Sequence, residues 1–160
     1  MKLTIRRATI SDVEVLVAFS SALAWETEGK RLRTEVVTRG VHAVLADPAK
    51  GCYTVVENDR GEVVGQMMLT FEWSDWRNGW FWWVQSVYVR EDARRTGVFR
   101  KLYEEIKRQA STDPTVIGLR LYVEEENARA RSTYRSLGMV PTTYGMMEEY
   151  PLPGRASEIG

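Results

Sequence analysis

Between Val87 and Leu102 the chain passes from a β-branched and aromatic run, Val87-Tyr88-Val89, through a short charged loop to Gly97. A helical pattern follows, with Leu102, Tyr103, Ile106 and Ala110 on one face. A strand that feeds a helix through so short a loop restricts the chain to layered folds in which helices pack on a sheet. The first turn of such a helix has backbone N–H groups without helical acceptors, and its dipole end is positive. Together they form an anion site, which Gly97 leaves open to close approach. Arg94, Arg95, Arg100 and Lys101 add positive charge there. A capped helix with solvated basic residues fits the same spacing, so the pattern alone supports both readings. GxxxxGK[ST] and GxGxxG are absent, which excludes a P-loop and a dinucleotide-binding fingerprint.

The rest of the chain fits the layered reading. Leu3 to Arg7 reads as a strand, and Ser11-Asp12-Val13-Glu14 as a capping box opening a helix with Leu16, Phe19 and Leu23 on one face. A second helix begins near Thr34-Glu35, carries Val37, Val41, Val44 and Leu45, and stops before Pro48. The loop between these helices is expected to hold Trp25, Glu26, Glu28 and Gly29. Strands are expected over Cys52 to Glu57 and Val63 to Phe71, joined by the turn Asn58-Asp59-Arg60-Gly61. A loop from Trp73, closed by Asn78-Gly79, leads into a strand from Trp80 to Val89. The helix from Gly97 to about Ala110 is broken by Asp113-Pro114. A buried strand, Val116 to Val123, and a helix, Asn127 to Leu137 stopped by Gly138, complete the pattern. Pro141 to Tyr150 suggests a closing hairpin. The expected fold is a single α/β domain over residues 1–150, a mixed, mostly antiparallel sheet of six to seven strands flanked by about four helices. Residues 151–160 are read as a C-terminal tail.

Composition narrows the chemistry. The 160 residues are enough for one domain with a real core. Lysine plus arginine total 22, as do aspartate plus glutamate, and this balance argues against a dedicated nucleic-acid binder. Cys52 is the only cysteine and His42 the only histidine, so an intramolecular disulfide, a cysteine zinc cluster and a multi-histidine metal site are all excluded. The start does not read as a signal peptide, and no apolar run has the length to span a bilayer. A cytoplasmic protein without membrane or metal partners is expected. His42 and Cys52 are read as structural residues.

A second informative segment runs from Glu126 to Met139. Asn127, Ala130 and Tyr134 are spaced by three and four, so they share a helix face. An ordinary amphipathic helix, capped by Asn127 and with Tyr134 packed in the core, explains that spacing equally well.

The two segments together resemble the GNAT acetyltransferases. Arg94-Arg95-Thr96-Gly97-Val98-Phe99 is similar to motif A of that family, (Gln/Arg)-x-x-Gly-x-(Gly/Ala), and departs from it at Phe99. Asn127-x-x-Ala130-x-x-x-Tyr134-x-x-x-Gly138-Met139 is similar to the complete motif B, and Ile5 to Asp12 looks like a typical family start. The resemblance covers about nine tenths of the chain, tail excluded. It implies the acyl-CoA N-acyltransferase fold and a ternary-complex transfer of acetyl from acetyl-CoA to a primary amine, without a metal. It places the CoA pyrophosphate on Arg94, Arg95, Thr96, Gly97, Val98, Phe99 and Arg100. The pantetheine arm and acetyl carbonyl fall along the main chain of Val87, Tyr88 and Val89. Asn127 and Ala130 then border the CoA arm, and the Tyr134 hydroxyl protonates the departing thiolate, a role open to a neutral phenol. The side chain of Phe99 must point away from the phosphates, into the core.

A protonated amine must lose its proton before attack. The family often places a glutamate where this chain has Gln85, which can position a water but cannot act as a base. Glu72 is the next candidate, followed by Glu26 and Glu28. Five of the six tryptophans lie between Trp73 and Trp83. Aromatic faces beside carboxylates suit a cationic amine, so Trp25, Glu28, Glu72, Asp75 and Trp76 are read as acceptor-pocket candidates. Core packing and a homodimer interface are the competing roles for the aromatic cluster, above all for Trp80, Trp82 and Trp83. The acceptor expected is a small-molecule amine. Alternatives are a protein lysine or N-terminal acetyltransferase, a non-catalytic acyl-CoA-binding module and a nucleotide-phosphate binder.

Overall fold

The computed structural model describes residues 2–156. One five-stranded sheet holds β1 (Thr4–Arg7), β2 (Cys52–Glu57), β3 (Val63–Ser74), β4 (Gly79–Val89) and β5 (Val116–Leu121), side by side in that order. The first four strands pair antiparallel, and β5 joins β4 parallel. The helices are α1 (Val13–Glu28), α2 (Thr34–Ala46), α3 (Val98–Thr112) and α4 (Ala128–Ser136). Two apolar clusters pin helices to opposite faces. Val98, Leu102 and Ile106 of α3 pack on Val56, Val64, Met67, Leu69 and Val84. Across the sheet, Val13, Leu16 and Val17 of α1 and Val41 of α2 pack on Tyr53 and Val55. This is the mixed α/β fold the sequence implies, with one sheet among the described residues.

Several boundaries differ from expectation, each for a local reason. α1 is preceded by a 3-10 turn, Ile10–Asp12, and its capping box joins Thr9 to Asp12 rather than Ser11 to Glu14. The Asp12 carboxylate accepts from the Thr9 N–H at 2.7 Å and from two Arg6 nitrogens at 2.8 and 2.9 Å. Arg6 therefore holds the Asp12 carboxylate in the protein interior. α1 also runs on through Trp25, Glu26 and Glu28, which are helical rather than in a loop; only Gly29, at φ 62, stops it. β3 extends past Phe71 to Ser74, because Trp73 and Ser74 pair with Trp80 and Gly79. β5 ends at Leu121 and is half-buried rather than buried.

The expected closing hairpin over Pro141–Tyr150 does not form, so the sheet has five strands among the described residues instead of six to seven. Val140 and Met147 are 82% and 98% exposed, so these apolar side chains are not buried against the sheet. Pro141 removes a ladder donor and Gly145 weakens the run in its middle, which leaves too little to hold a strand without a partner. Of the expected tail, residues 157–160 lie outside the described residues. No helix among the described residues is long and apolar enough to cross a membrane.

Candidate functional site

β4 parts from its neighbour half-way along its length. Its last parallel partner pair is Val84 with Leu121, yet the strand continues from Gln85 to Val89. Among the described residues, 85–89 have no strand partner on the β5 side, so the backbone groups there that β3, Gln66 and Arg94 do not engage are outside the ladder. On the other side they remain paired with β3, at Gln85 with Met68, Tyr88 with Gln66 and Val89 with Gly65.

The loop after β4 carries the chain across the end of the sheet into α3. A 3-10 turn, Glu91–Ala93, precedes Arg94. Arg95 then has φ 64 and Gly97 φ 87, with Gly97 standing as the N-cap residue of α3. Two left-handed residues one position apart, after the extended Arg94, turn the backbone sharply just before α3. A Cβ built on Gly97 meets no atom within 4 Å, so the loop is open there. Gly65 of β3 makes the packing close from below, since a Cβ there would meet Val98 Cγ1 at 2.9 Å. The first turn of α3 is thereby seated directly on the sheet.

The motif A side chains take different directions. Val98 is buried in the core, so only its backbone N–H can serve an anion. Phe99 packs against that core, as its position demands, and its ring also meets Tyr103 and Tyr134 at centroid distances of 6.2 and 5.8 Å. Arg95, Thr96 and Arg100 are exposed. Arg94 is engaged: its Nε donates to the Val89 carbonyl at 2.9 Å and its Nη2 to Glu26 Oε2 at 2.7 Å. Glu26 Oε1 also accepts from the Tyr88 hydroxyl at 3.1 Å. Burial, with Glu26 beside it, pushes the Tyr88 hydroxyl above the ordinary tyrosine value.

α4 brings Tyr134 to the α3 side of the cleft through the Phe99 contact. Burial holds the Tyr134 hydroxyl above its usual value of 10.0, so it is a neutral proton donor throughout the neutral range. Asn127 caps α4, its Oδ1 accepting from the Ala130 N–H at 3.0 Å. Asn127 is exposed and Ala130 half-buried.

The acceptor candidates do not converge on one place. Gln85 Nε2 donates to Thr70 Oγ1 at 2.5 Å. Glu72 lies further along the same face, its Oε1 accepting from Arg120 Nη1 at 2.7 Å and from Trp83 Nε1 at 3.1 Å. Arg120 in turn stacks over the Phe81 ring at 3.6 Å, and Trp83 meets Tyr122 at 4.6 Å. Asp75 and Trp76 form the turn of the β3–β4 hairpin, Trp76 being 85% exposed. Strand rise places that turn about 20 Å from Gln85, too far to share a pocket at the cleft. Trp25 and Glu28 occupy the last turn of α1, under Arg31 at 4.6 Å and Lys30 at 3.5 Å respectively. They stand beside Glu26, at the loop end rather than the Gln85 end. Sequence reasoning missed Arg120 and Phe81, which partner Glu72 through space with nothing in their spacing to announce it. It also missed Gln66, whose one polar side chain in an apolar run, Val63 to Leu69, was the available signal.

Comparison with known proteins accounts for this arrangement. The family model for the GNAT acetyltransferases matches residues 17–139. The chain belongs to the GNAT acetyltransferase family. A solved structure described as a possible acetyltransferase from Clostridium difficile 630 is 46% identical, with 93% of this chain and 97% of that chain covered and a TM-score of 0.87. An integron cassette protein from the mobile metagenome of Cole Harbour Salt Marsh is 26% identical, covering 93% and 91%, with a TM-score of 0.79. Glucosamine-6-phosphate N-acetyltransferase from Arabidopsis thaliana, at 18% identity, 94% and 99% coverage and a TM-score of 0.72, shares the fold. No curated protein sequence matches the chain significantly. This GNAT chain is an acyltransferase. Acyl-CoA is the family's general donor, and the open loop at Gly97 beside the unpaired stretch of β4 fits an extended molecule with a phosphate end. Among the described residues, no group of three or more His, Cys, Asp or Glu side chains is placed to hold a metal ion.

Proposed function

We propose that this GNAT chain transfers acetyl from acetyl-CoA to the primary amine of a small molecule, both bound at once. The observation that carries the reading is the parting of β4 from β5 after Val84, flanked by the Arg95–Gly97 loop and by Tyr134. Arg95, Thr96, Arg100 and the backbone of Gly97, Val98 and Phe99 hold the pyrophosphate, with Arg94 bracing the loop against Glu26 and Val89. Val87, Tyr88 and Val89 align the pantetheine arm through their main chain, and Asn127 and Ala130 border it. The donor supplies an activated acetyl thioester. Holding it against a bound amine provides much of the acceleration. Backbone N–H groups of the unpaired strand polarise the carbonyl. Tyr134 gives its proton to the leaving sulfur.

The acceptor amine enters over the sheet face that carries Gln85, Thr70, Glu72, Trp83 and Tyr122. Gln85 Nε2 is held by Thr70, which leaves its Oε1 to orient a water that takes the amine proton, with Glu72 next along the face. A second reading, a non-catalytic acyl-CoA-binding module, is favoured by glutamine standing in place of a base and is opposed by the placement of Tyr134. One assay separates them: acetyl-CoA turnover over an amine panel, read as released thiol, with Tyr134→Phe alongside. Turnover that falls about a hundredfold in the variant, with little change in acetyl-CoA KM, is expected for the enzyme. Tight acetyl-CoA binding without turnover of any amine would establish the module instead. Saturable transfer to peptides but not to small amines would assign a protein acceptor.

A further inference from the structure

The unpaired stretch of β4 begins with an irregularity. Gln66 of β3 pairs with Tyr88, and Met68 with Gln85, so Met67 alone faces both Ser86 and Val87. This is a β-bulge, and its first residue, Ser86, has φ 49. A serine in the left-handed region is disfavoured and persists only where its surroundings hold it. The bulge also decides which way the groups of Val87 to Val89 face, because removing one residue from a strand reverses every following side chain and peptide.

The holding group is Gln66. Its side chain is completely buried, and its Nε2 donates to the Ser86 carbonyl at 3.1 Å and to Ser20 Oγ of α1 at 3.3 Å. A carbonyl oxygen can only accept, so the amide orientation is determined by this bond. Gln66 Oε1 is left buried with no partner. An unsatisfied buried oxygen is costly, and a methionine or leucine of the same bulk would avoid it. A chain that keeps glutamine here gains something other than packing. We propose that Gln66 is a positioning residue for acyl transfer: its amide clamps the Ser86 carbonyl, fixes the bulge and so sets the direction in which the Val87–Val89 backbone meets the acyl-CoA arm. The inference rests on acetyl-CoA binding along that strand.

The test uses the purified full chain, with acetyl-CoA binding measured by calorimetry and turnover by thiol release. Gln66→Met keeps the bulk and removes the donor; the acetyl-CoA Kd rises about tenfold, the equivalent of one buried hydrogen bond. Ser86→Gly added to that variant makes the left-handed conformation free of cost and restores most of the lost affinity. A purely packing role for Gln66 would not be rescued from position 86. Wild-type affinity in folded Gln66→Met, or a loss that Ser86→Gly leaves untouched, overturns the proposal. Wild-type protein that fails to bind acetyl-CoA overturns the function reading along with it. Should Gln66→Met not fold, the wild-type protein still decides. By nitrogen-edited NMR the Gln66 side-chain protons exchange far more slowly than those of an exposed glutamine and shift on saturation with acetyl-CoA. Exchange at the exposed rate, or no shift in a protein that binds, overturns the clamp.

Discussion

Gly97→Ala separates the stability of the loop before α3 from its proposed phosphate-binding role. Gly97 has φ 87 and ψ 6 as the N-cap residue of α3, a conformation that charges any L side chain about 1–2 kcal/mol. An added Cβ meets nothing within 4 Å, so no clash adds to that cost. The folded protein should therefore lose about 1 kcal/mol, or about 3 °C in Tm for a chain of this size. An added methyl would stand on the loop proposed to hold the pyrophosphate and crowd the approach of that anion. Weakening one hydrogen bond to a charged group costs about 2 kcal/mol, so acetyl-CoA KM should rise about thirtyfold. The kcat at saturation should hold, because binding is weakened equally before and during transfer. Thermal unfolding and initial rates over an acetyl-CoA series measure both quantities on one preparation. A variant that loses the expected Tm but keeps the wild-type KM would refute the reasoning, since the glycine would then serve the backbone alone.

Three further outcomes follow from other parts of the molecule. Asp12→Asn should cost about 2 kcal/mol, discounted because Arg6 is partly exposed and keeps Glu57. The Arg6 guanidinium holds the Asp12 carboxyl below its ordinary value of 3.8. The stabilisation is thus complete above that value and lost as pH falls through the lower folded value; Tm measured from pH 7 downward should fall less in Asp12→Asn than in wild type. Burial pushes the Tyr134 hydroxyl above 10.0, so its proton stays in place as pH rises to that point. A pH–kcat profile with an alkaline loss centred below pH 9, absent from Tyr134→Phe, would contradict that protonation state. Asp75→Ala and Trp76→Ala, at the hairpin turn, should leave the acceptor KM within about twofold of wild type, whereas Trp83→Ala should raise it several-fold. A large effect at Asp75 alone would return the acceptor to the hairpin turn.

Much of the fold was legible because its elements are locally determined. Cys52 to Glu57 is a short β-branched and apolar run bounded by turn residues, and the strand has those limits. α2 follows its apolar period from Thr34 and halts before Pro48. The motif around Gly97 was legible for the same reason, since a left-handed glycine before a helix is a property of a few consecutive residues. Misreadings arose where a distant partner decides. Asp12 caps the turn before α1 because Arg6 reaches it, and Glu72 meets Arg120 across the sheet. Pro141 to Tyr150 failed as a hairpin because a run of turn, aromatic and methionine residues does not itself supply the pairing partner a strand requires.

The position of Glu26 shows how the site combines both kinds of information. In the sequence it is one of 22 acidic residues, placed four before Lys30 at the end of an apolar helix. In the fold it bridges α1, β4 and the Arg94–Gly97 loop, through Tyr88 at 3.1 Å and Arg94 at 2.7 Å. Arg94 also holds the Val89 carbonyl, so the last residue of β4 and the start of the loop into α3 share one brace. A carboxylate beside the proposed anion site would weaken it by repulsion, a cost offset when the same carboxylate orders the loop before the ligand arrives. Gln66 braces the start of the unpaired stretch from one face of the sheet, and Glu26 braces its end. The strand that offers its backbone to the cleft is thus held at both ends by side chains of opposite chemistry, a buried amide and a half-exposed ion pair. Salt should therefore loosen the loop end while leaving the bulge intact.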